Sequence, residues 1–310
     1  MLLVTSDSDV QLASALASIE SQALEATVEV VVVDRAPDDG TPAVVEAWSR
    51  RVGVEARVLP REVDLAPGLE LHRGLDACRG RYVALLDGGD EWLSVDKLQR
   101  QVQMLDGHPG LSMAATRTLV VDDATGGSRT VPAIEAELPE GGATAAHLAD
   151  GRWPATASCV VYRSETLHRL DPGIFETAAC RQLLDLAMTG YGPVGLVPDV
   201  ATLHRVRSGR PGPDQGGSPV DARSLLPEHG HLLAPDVLRQ LGAGTDLSGI
   251  TPAPTRLAPP LRRGTPRRRA VPTRRQRTTQ HPRHAGESSS STTTSPPRGP
   301  ASGSRSSTGC

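Results

Sequence analysis

Short runs of apolar residues alternate with longer stretches in which apolar residues return every third or fourth position. The runs LLVTS (2–6), VEVVVVD (28–34), EARVLP (55–60), RYVALLD (81–87) and LSMAATRTLVV (111–121) predict strands. An unbroken β-branched run such as Val30 to Val33 suits a strand covered on both faces of a parallel sheet. Helical stretches lie between the runs. Ser8 or Asp9 can cap one that carries Leu12, Ala15, Leu16 and Ile19 on one face, and Pro42 opens a second with Val44, Val45 and Trp48. Residues 67–79 form a third, and Asp96 can cap a fourth with Leu98, Val102 and Leu105. Strand and helix in alternation at this spacing imply βαβ units and a three-layer αβα sandwich.

Past residue 121 the pattern loosens. Residues 122–152 are rich in Gly, Ala and Asp and read as a loop with a short helix. ASCVVYR (157–163) predicts a strand, 164–170 a short helix, and 176–189 an amphipathic helix with Leu183, Leu184, Leu186 and Ala187. Residues 193–198 and 201–207 predict two further strands, and after 208 regularity fades apart from a helix near 233–241. The expected organisation is one domain over 1–210, an irregular extension over 211–250, and a tail over 251–310. The Pro, Arg, Ser and Thr of that tail cannot bury enough apolar area to offset chain entropy, so it is predicted to be disordered.

Composition changes this picture in three places. Aromatics are 2 % of the chain, so the core must be built from Val, Leu and Ala. Residues 256–310 hold twelve arginines against one acid, Glu287, giving a tail of +11 on a body of −14. A polyanion or an anionic membrane surface is the partner that such a tail fits, although no aromatics are interleaved for base recognition. Cys78, Cys159, Cys180 and Cys310 show neither zinc spacing nor clustering with His, which fits a reducing compartment. No apolar run approaches the roughly 18 residues of a membrane span, and the amino-terminus lacks a secretory leader. The expected location is the cytoplasm, with peripheral membrane contact left open.

Candidate chemistry sits at strand ends. Two predicted strands close on acids, Asp34 and Asp87, and each runs into a loop rich in Asp and Gly: DRAPDDGT and DGGDEW. Glycines let a phosphate or sugar approach the backbone, and carboxylates bind ribose hydroxyls or a hard cation. Singly each reads as a turn. Together, at the carboxyl ends of strands in one sheet, they favour a nucleotide site.

On these residues the chain resembles family 2 glycosyltransferases. VEVVVVDRAPDDGTPAVVEAW is similar to their second strand and turn, and HRGLDACRGRYVALLDGGDEWLSVDKLQRQV to the stretch through their DxD motif. CVVYRSETLHRLDPGIFE and LVPDVATLHRVRSG match later elements in outline, so the resemblance spans about 2–209. It implies a GT-A fold, a Rossmann-like αβα sandwich. It also implies transfer of a sugar from a nucleotide-sugar donor to an acceptor hydroxyl with inversion, and a divalent cation (Mg or Mn) on the DxD carboxylates.

By that resemblance the donor would be held by Asp34, Asp39, Asp87, Asp90 and Arg207, and the cation by Asp87 and Asp90. Several positions depart from the family pattern. Arg35 stands for an Asp, Leu71 for an Arg, and Gly89 for the second Asp of DxD, with Asp90 one residue late. The acidic pair that carries the base aligns on Ala178 and Ala179, and the nearest carboxylates are Glu176 and Asp185. The acceptor stays open. The alternative is a catalytically degenerate relative that binds a nucleotide or a partner without turnover.

Overall fold

The computed structural model describes residues 1–5, 9–35, 40–60, 62, 65–133, 137, 139–149, 156–206 and 222–242. In chain order its elements begin β1 (Leu2–Thr5), α1 (Asp9–Glu20), β2 (Glu29–Asp34), α2 (Thr41–Val52), β3 (Glu55–Leu59), α3 (Pro67–Ala77) and β4 (Tyr82–Asp87). Next come β5 (Glu91–Trp92), α4 (Lys97–Gly107), β6 (Met113–Asp122), β7 (Ser128–Val131), α5 (Ala145–Ala149), β8 (Val160–Arg163) and α6 (Ser164–Leu167). The last are α7 (Cys180–Thr189), β9 (Val194–Val206), α8 (Leu226–His229) and α9 (Pro235–Leu241).

The strands form one mixed sheet in the order β3-β2-β1-β4-β8-β6-β9-β5, with β7 beside β6. β3, β2, β1 and β4 run parallel. β8 is antiparallel to both β4 and β6, and β6 is parallel to β9. Apolar side chains along the first strands divide between two cores, as the two-residue period of a strand requires. Leu2, Val4, Val31, Val33, Val83 and Leu85 enter one, with Leu71 and Leu75 of α3 and the apolar faces of α5, α7 and α9. Leu3, Val30, Val32, Ala84 and Leu86 enter the other, with Leu12, Leu16 and Ile19 of α1, Trp48 of α2, and Leu98 and Leu105 of α4. Each such buried side chain contributes about 1.5–3 kcal/mol. The uninterrupted run Val30–Val33 is thus explained by helices on both faces, and the sheet with its two helical layers is the expected αβα sandwich.

Four local expectations change. The predicted loop at 122–152 contains a hairpin, in which β7 pairs antiparallel with β6. Asp122 Oδ1 accepts from the backbone N–H of Ala124 at 2.9 Å, and Gly126 follows at φ 69°, so the side chain and the glycine fold the turn between them. The two strands predicted at 193–207 are one strand, because Pro198 and Asp199 form a bulge against β6 and pairing resumes at Val200. Residues 157–159 are a 3-10 turn before β8, closed by Thr156, whose hydroxyl accepts from the Ser158 N–H at 3.3 Å. The helix predicted from 176 begins at Cys180, after a 3-10 turn over Pro172–Glu176.

Within the predicted extension, residues 222–242 pack on the domain. Leu226, Leu232, Leu233, Val237, Leu238 and Leu241 are buried in the same core as α5 and α7. The predicted tail at 251–310 lies outside the described residues. Among the described residues no helix is long and apolar enough to cross a membrane.

Candidate functional site

From β1 the sheet grows in two directions. β2 and β3 lie on one side, and the chain returns through α3 to place β4 on the other. Such a reversal opens a crevice at the carboxyl ends of the strands where it occurs. Here that crevice is between β1 and β4. The register sets Thr5 beside Asp34 and Val4 beside Asp87, so the half-buried Asp34 and Asp87 end strands on either side of β1, one step out of register and on opposite faces of the sheet. Gly88 follows Asp87 and stands level with Thr5, its N–H bonding the Val4 carbonyl at 2.8 Å. A Cβ at 88 would lie 2.8 Å from Thr5 Oγ1, so the close approach of the two tips requires glycine there.

Asp87 is held from the second half of the chain. The Arg181 guanidinium donates to its Oδ1 at 2.7 Å, and the Asp87 N–H donates to Ser158 Oγ at 3.0 Å. Both side chains of the ion pair reach solvent, 14 % for Arg181 and 25 % for Asp87. Arg181 stands in the first turn of α7, which has neither a side-chain cap nor an acidic residue in that turn. A cation there opposes the helix dipole, so its place is set by partners. One is Asp87. Another is Asp185, a turn further along α7, which feels the Arg181 charge and accepts a 2.6 Å bond from the Tyr162 hydroxyl. Burial raises the Asp185 pKa to about 6, while the Tyr162 bond and Arg181 pull it back. The Tyr162 hydroxyl is pushed well above its ordinary value by burial and by the Asp185 charge.

Beneath the tip is a buried polar seam. Asp90 is 3 % exposed, with Oδ1 2.8 Å from His204 Nδ1 and Oδ2 accepting from the Thr156 hydroxyl at 2.9 Å. Trp92 donates to the Ser158 carbonyl at 2.8 Å, and the Lys97 ammonium lies 4.7 Å above its ring. Lys97 donates to Gln101 at 2.8 Å, and Gln101 donates to the carbonyls of Ala114 and Cys159. Complete burial lowers the pKa of Lys97, the chain's one lysine, to about 7. These contacts bind β5, α4, β9 and the 156–159 turn into one support for the loop after Asp87.

The predicted site residues therefore separate. Asp34 and Asp87 end β2 and β4 on either side of β1, with their side chains on opposite faces of the sheet. Asp90 is engaged below it. Asp185 is buried against Tyr162, and Glu176 is exposed at the end of the 3-10 turn before α7. Asp39 and Arg207 lie outside the described residues. At the departing positions, Arg35 pairs with Glu70 of α3 at 2.9 Å, while Leu71 is buried in the core.

The donors among the described residues do not fit a divalent cation. One carboxylate is already neutralised by a guanidinium, both oxygens of the next are bonded within the protein, and position 89 has no side chain. A hard cation at a diphosphate is held by one or two carboxylates together with waters and phosphate oxygens, and here the carboxylate that reaches solvent is already paired with a cation. Among the described residues no group of three or more His, Cys, Asp or Glu could hold a metal ion.

Arg181, Thr156, Ser158 and Lys97 were not singled out by the sequence. The available signal was Arg181, a cation set at the wrong end of an amphipathic helix four residues before an acid.

The chain is 35 % identical over 95 residues to an uncharacterised protein of Mycobacterium tuberculosis, covering 31 % of this chain and 28 % of that one. It therefore spans less than a third of the first curated relatives it matches. It is 25 % identical over 197 residues to the amylovoran biosynthesis glycosyltransferase AmsE of Erwinia amylovora, covering 63 % and 69 % of the two chains. Two solved structures share the fold. One is S. aureus TarS 1-349 in complex with UDP-GlcNAc, with TM-score 0.51, 17 % identity, and 77 % and 64 % of the chains covered. The other is the mannosyltransferase PcManGT of Pyrobaculum calidifontis with GDP-Man and Mn2+, with TM-score 0.51, 18 % identity, and 67 % and 57 % covered. The model of glycosyl transferase family 2 matches residues 8–169, just over half of the sequence. The chain belongs to glycosyl transferase family 2.

Proposed function

We propose that the protein moves a sugar from a nucleotide-sugar donor to an acceptor hydroxyl, with inversion at the anomeric carbon. The observation that carries this reading is that β2 and β4, the strands on either side of β1 at the reversal point of the sheet, both end in an acid, Asp34 and Asp87. Asp34 would accept from the nucleoside, and the diphosphate would lie toward Asp87 and Arg181. Asp39 and Arg207 are proposed for the same pocket. UDP and GDP are the nucleotides to test first, since the solved relatives hold UDP-GlcNAc and GDP-Man.

In the transfer the acceptor oxygen forms a new bond to the anomeric carbon. The bond from that carbon to the diphosphate oxygen breaks, and its electron pair stays on the phosphate. The acceptor proton must pass to a base. Asp185 is enclosed with Tyr162, so the exposed Glu176 is the carboxylate proposed for that role.

A panel of UDP- and GDP-sugars, read by thermal shift and by release of nucleoside diphosphate, tests this. Stabilisation by one donor, with release of its nucleotide, is the expected result. No shift and no release across the panel would sink it. Gly89, Ala178 and Ala179 favour a second reading, binding without turnover. Its signature is a thermal shift with no nucleotide release over a day.

A further inference from the structure

We propose that the Arg181 guanidinium takes the place of the divalent cation at the donor diphosphate, so that this site binds its nucleotide without metal. The inference rests on the donor reading above. Three observations carry it.

The first is the misfit for a cation. Asp87 reaches solvent at the tip and is already paired with Arg181 at 2.7 Å, while Asp90 is spent on His204 and Thr156. A dication brought to Asp87 would have to displace or sit beside a fixed positive charge.

The second is placement. Arg181 reaches solvent at the tip of β4, at the carboxyl end of the strand that borders the crevice. A guanidinium is planar, always charged, and presents several donors that match phosphate oxygens. Asp87 takes one donor and so orients the group before a nucleotide arrives.

The third is the setting of the charge. Arg181 lies in the first turn of a ten-residue helix with no side-chain cap and no acid in that turn. The positive end of the helix and the guanidinium therefore add at one place, which a helix built for stability alone would avoid. Behind it, Asp185 and Tyr162 fix the helix face from inside the core.

When the anomeric bond breaks, the electron pair left on the diphosphate adds negative charge at this place, and Arg181 would meet it with a group that needs no recruitment. Asp87 then acts as a positioning residue. Its carboxylate holds the guanidinium and does not ligate a metal.

The test is calorimetric titration of the full chain with UDP and with GDP, each in EDTA and in Mn2+. Companion titrations use Arg181→Gln and Arg181→Lys, and free Mn2+ is followed by electron paramagnetic resonance. The expected result is nucleotide affinity equal within about twofold in the two buffers and no Mn2+ uptake at the nucleotide site. Arg181→Gln should weaken binding at least tenfold, and Arg181→Lys should do so less. Binding that appears or rises tenfold only with Mn2+ overturns the inference while leaving the donor reading intact. So does an Arg181→Gln protein that binds as wild type. Failure of both nucleotides in both buffers overturns the donor reading and this inference with it. Circular dichroism checks that Arg181→Gln is folded. If it is not, the wild-type comparison and Arg181→Lys decide.

Discussion

The crevice at the ends of β2 and β4 and the seam beneath it are both polar, yet they are built on opposite terms. At the crevice, Asp34 and Asp87 keep contact with solvent, and Asp87 faces a cation that also reaches solvent. In the seam, Asp90, Lys97 and Gln101 are buried and bonded within the protein, as is Asp185 in the opposite core. Ionised groups at a surface add little to stability and stay available to a ligand. Buried ones cost desolvation, and they persist where they fix a geometry. The contrast assigns recognition to the crevice and positioning to the seam. Substitutions below should be read in folding stability, and substitutions above in ligand binding.

Trp92→Ala should make the largest change. The indole is buried, bonded to Ser158, and lies under Lys97. Its loss opens a cavity and is expected to cost about 3–5 kcal/mol, measured by urea denaturation. A cost under about 1 kcal/mol would remove the seam as a support.

Asp185→Asn should act with the opposite sign. The Asp185 carboxyl titrates near pH 6 in the folded protein, above the ordinary value of 3.8 that it regains on unfolding. Between those values the folded state holds a proton that the unfolded state releases, so this group's contribution falls as pH rises through the window. Above pH 6 the full cost is present, about 2–3 kcal/mol. The amide can still accept from Tyr162, so the variant is expected to melt higher than wild type at pH 8 and to show no such advantage at pH 4. The same substitution removes a partner of Arg181 and should weaken nucleotide binding. Equal differences in melting temperature at the two pH values would break the assignment of Asp185 to a buried, positioning role.

Asp90→Ala comes next. It leaves the Thr156 hydroxyl and the His204 ring without their carboxylate and should cost about 1–3 kcal/mol in urea. If Asp90 were a ligand at the crevice instead, stability would stay near wild type and nucleotide affinity would fall.

The two regions also differ in how far the sequence discloses them. β1 to β4 could be read because a parallel strand covered on both faces is apolar without interruption and ends abruptly in a charge, as Val30 to Asp34 and Val83 to Asp87 do. That marked the crevice before any coordinates. The seam was hidden for the opposite reason. Its members come from distant stretches, Asp90 meeting His204 across 114 positions and Thr156 across 66, and no local pattern joins them. The register of the second half was obscured as well. Pro198 and Asp199 look like a break between strands but form a bulge within one, and the hairpin of β6 and β7 depends on a turn closed by Asp122. Asp90 shows the limit most plainly. Its position one residue after Gly89 suggested a carboxylate shifted along the same tip, whereas its burial and its two bonds set it in the layer below.

Asp34→Ala is the smallest change in stability and the sharpest test of the contrast. Asp34 ends β2, is half-buried, and lies beside Thr5 in the sheet. Truncating a carboxylate that still meets water should move folding stability by no more than about 1 kcal/mol. A nucleoside that uses it as an acceptor would lose one charged hydrogen bond, about 1.5–3 kcal/mol, or roughly ten- to a hundredfold in affinity for UDP or GDP. The two readouts together locate the residue. Weaker binding with unchanged unfolding places Asp34 in the crevice with Asp87. A large loss of stability would move it to the seam's side of the comparison, and the acidic ends of β2 and β4 would then be structural features of the sheet with no donor upon them.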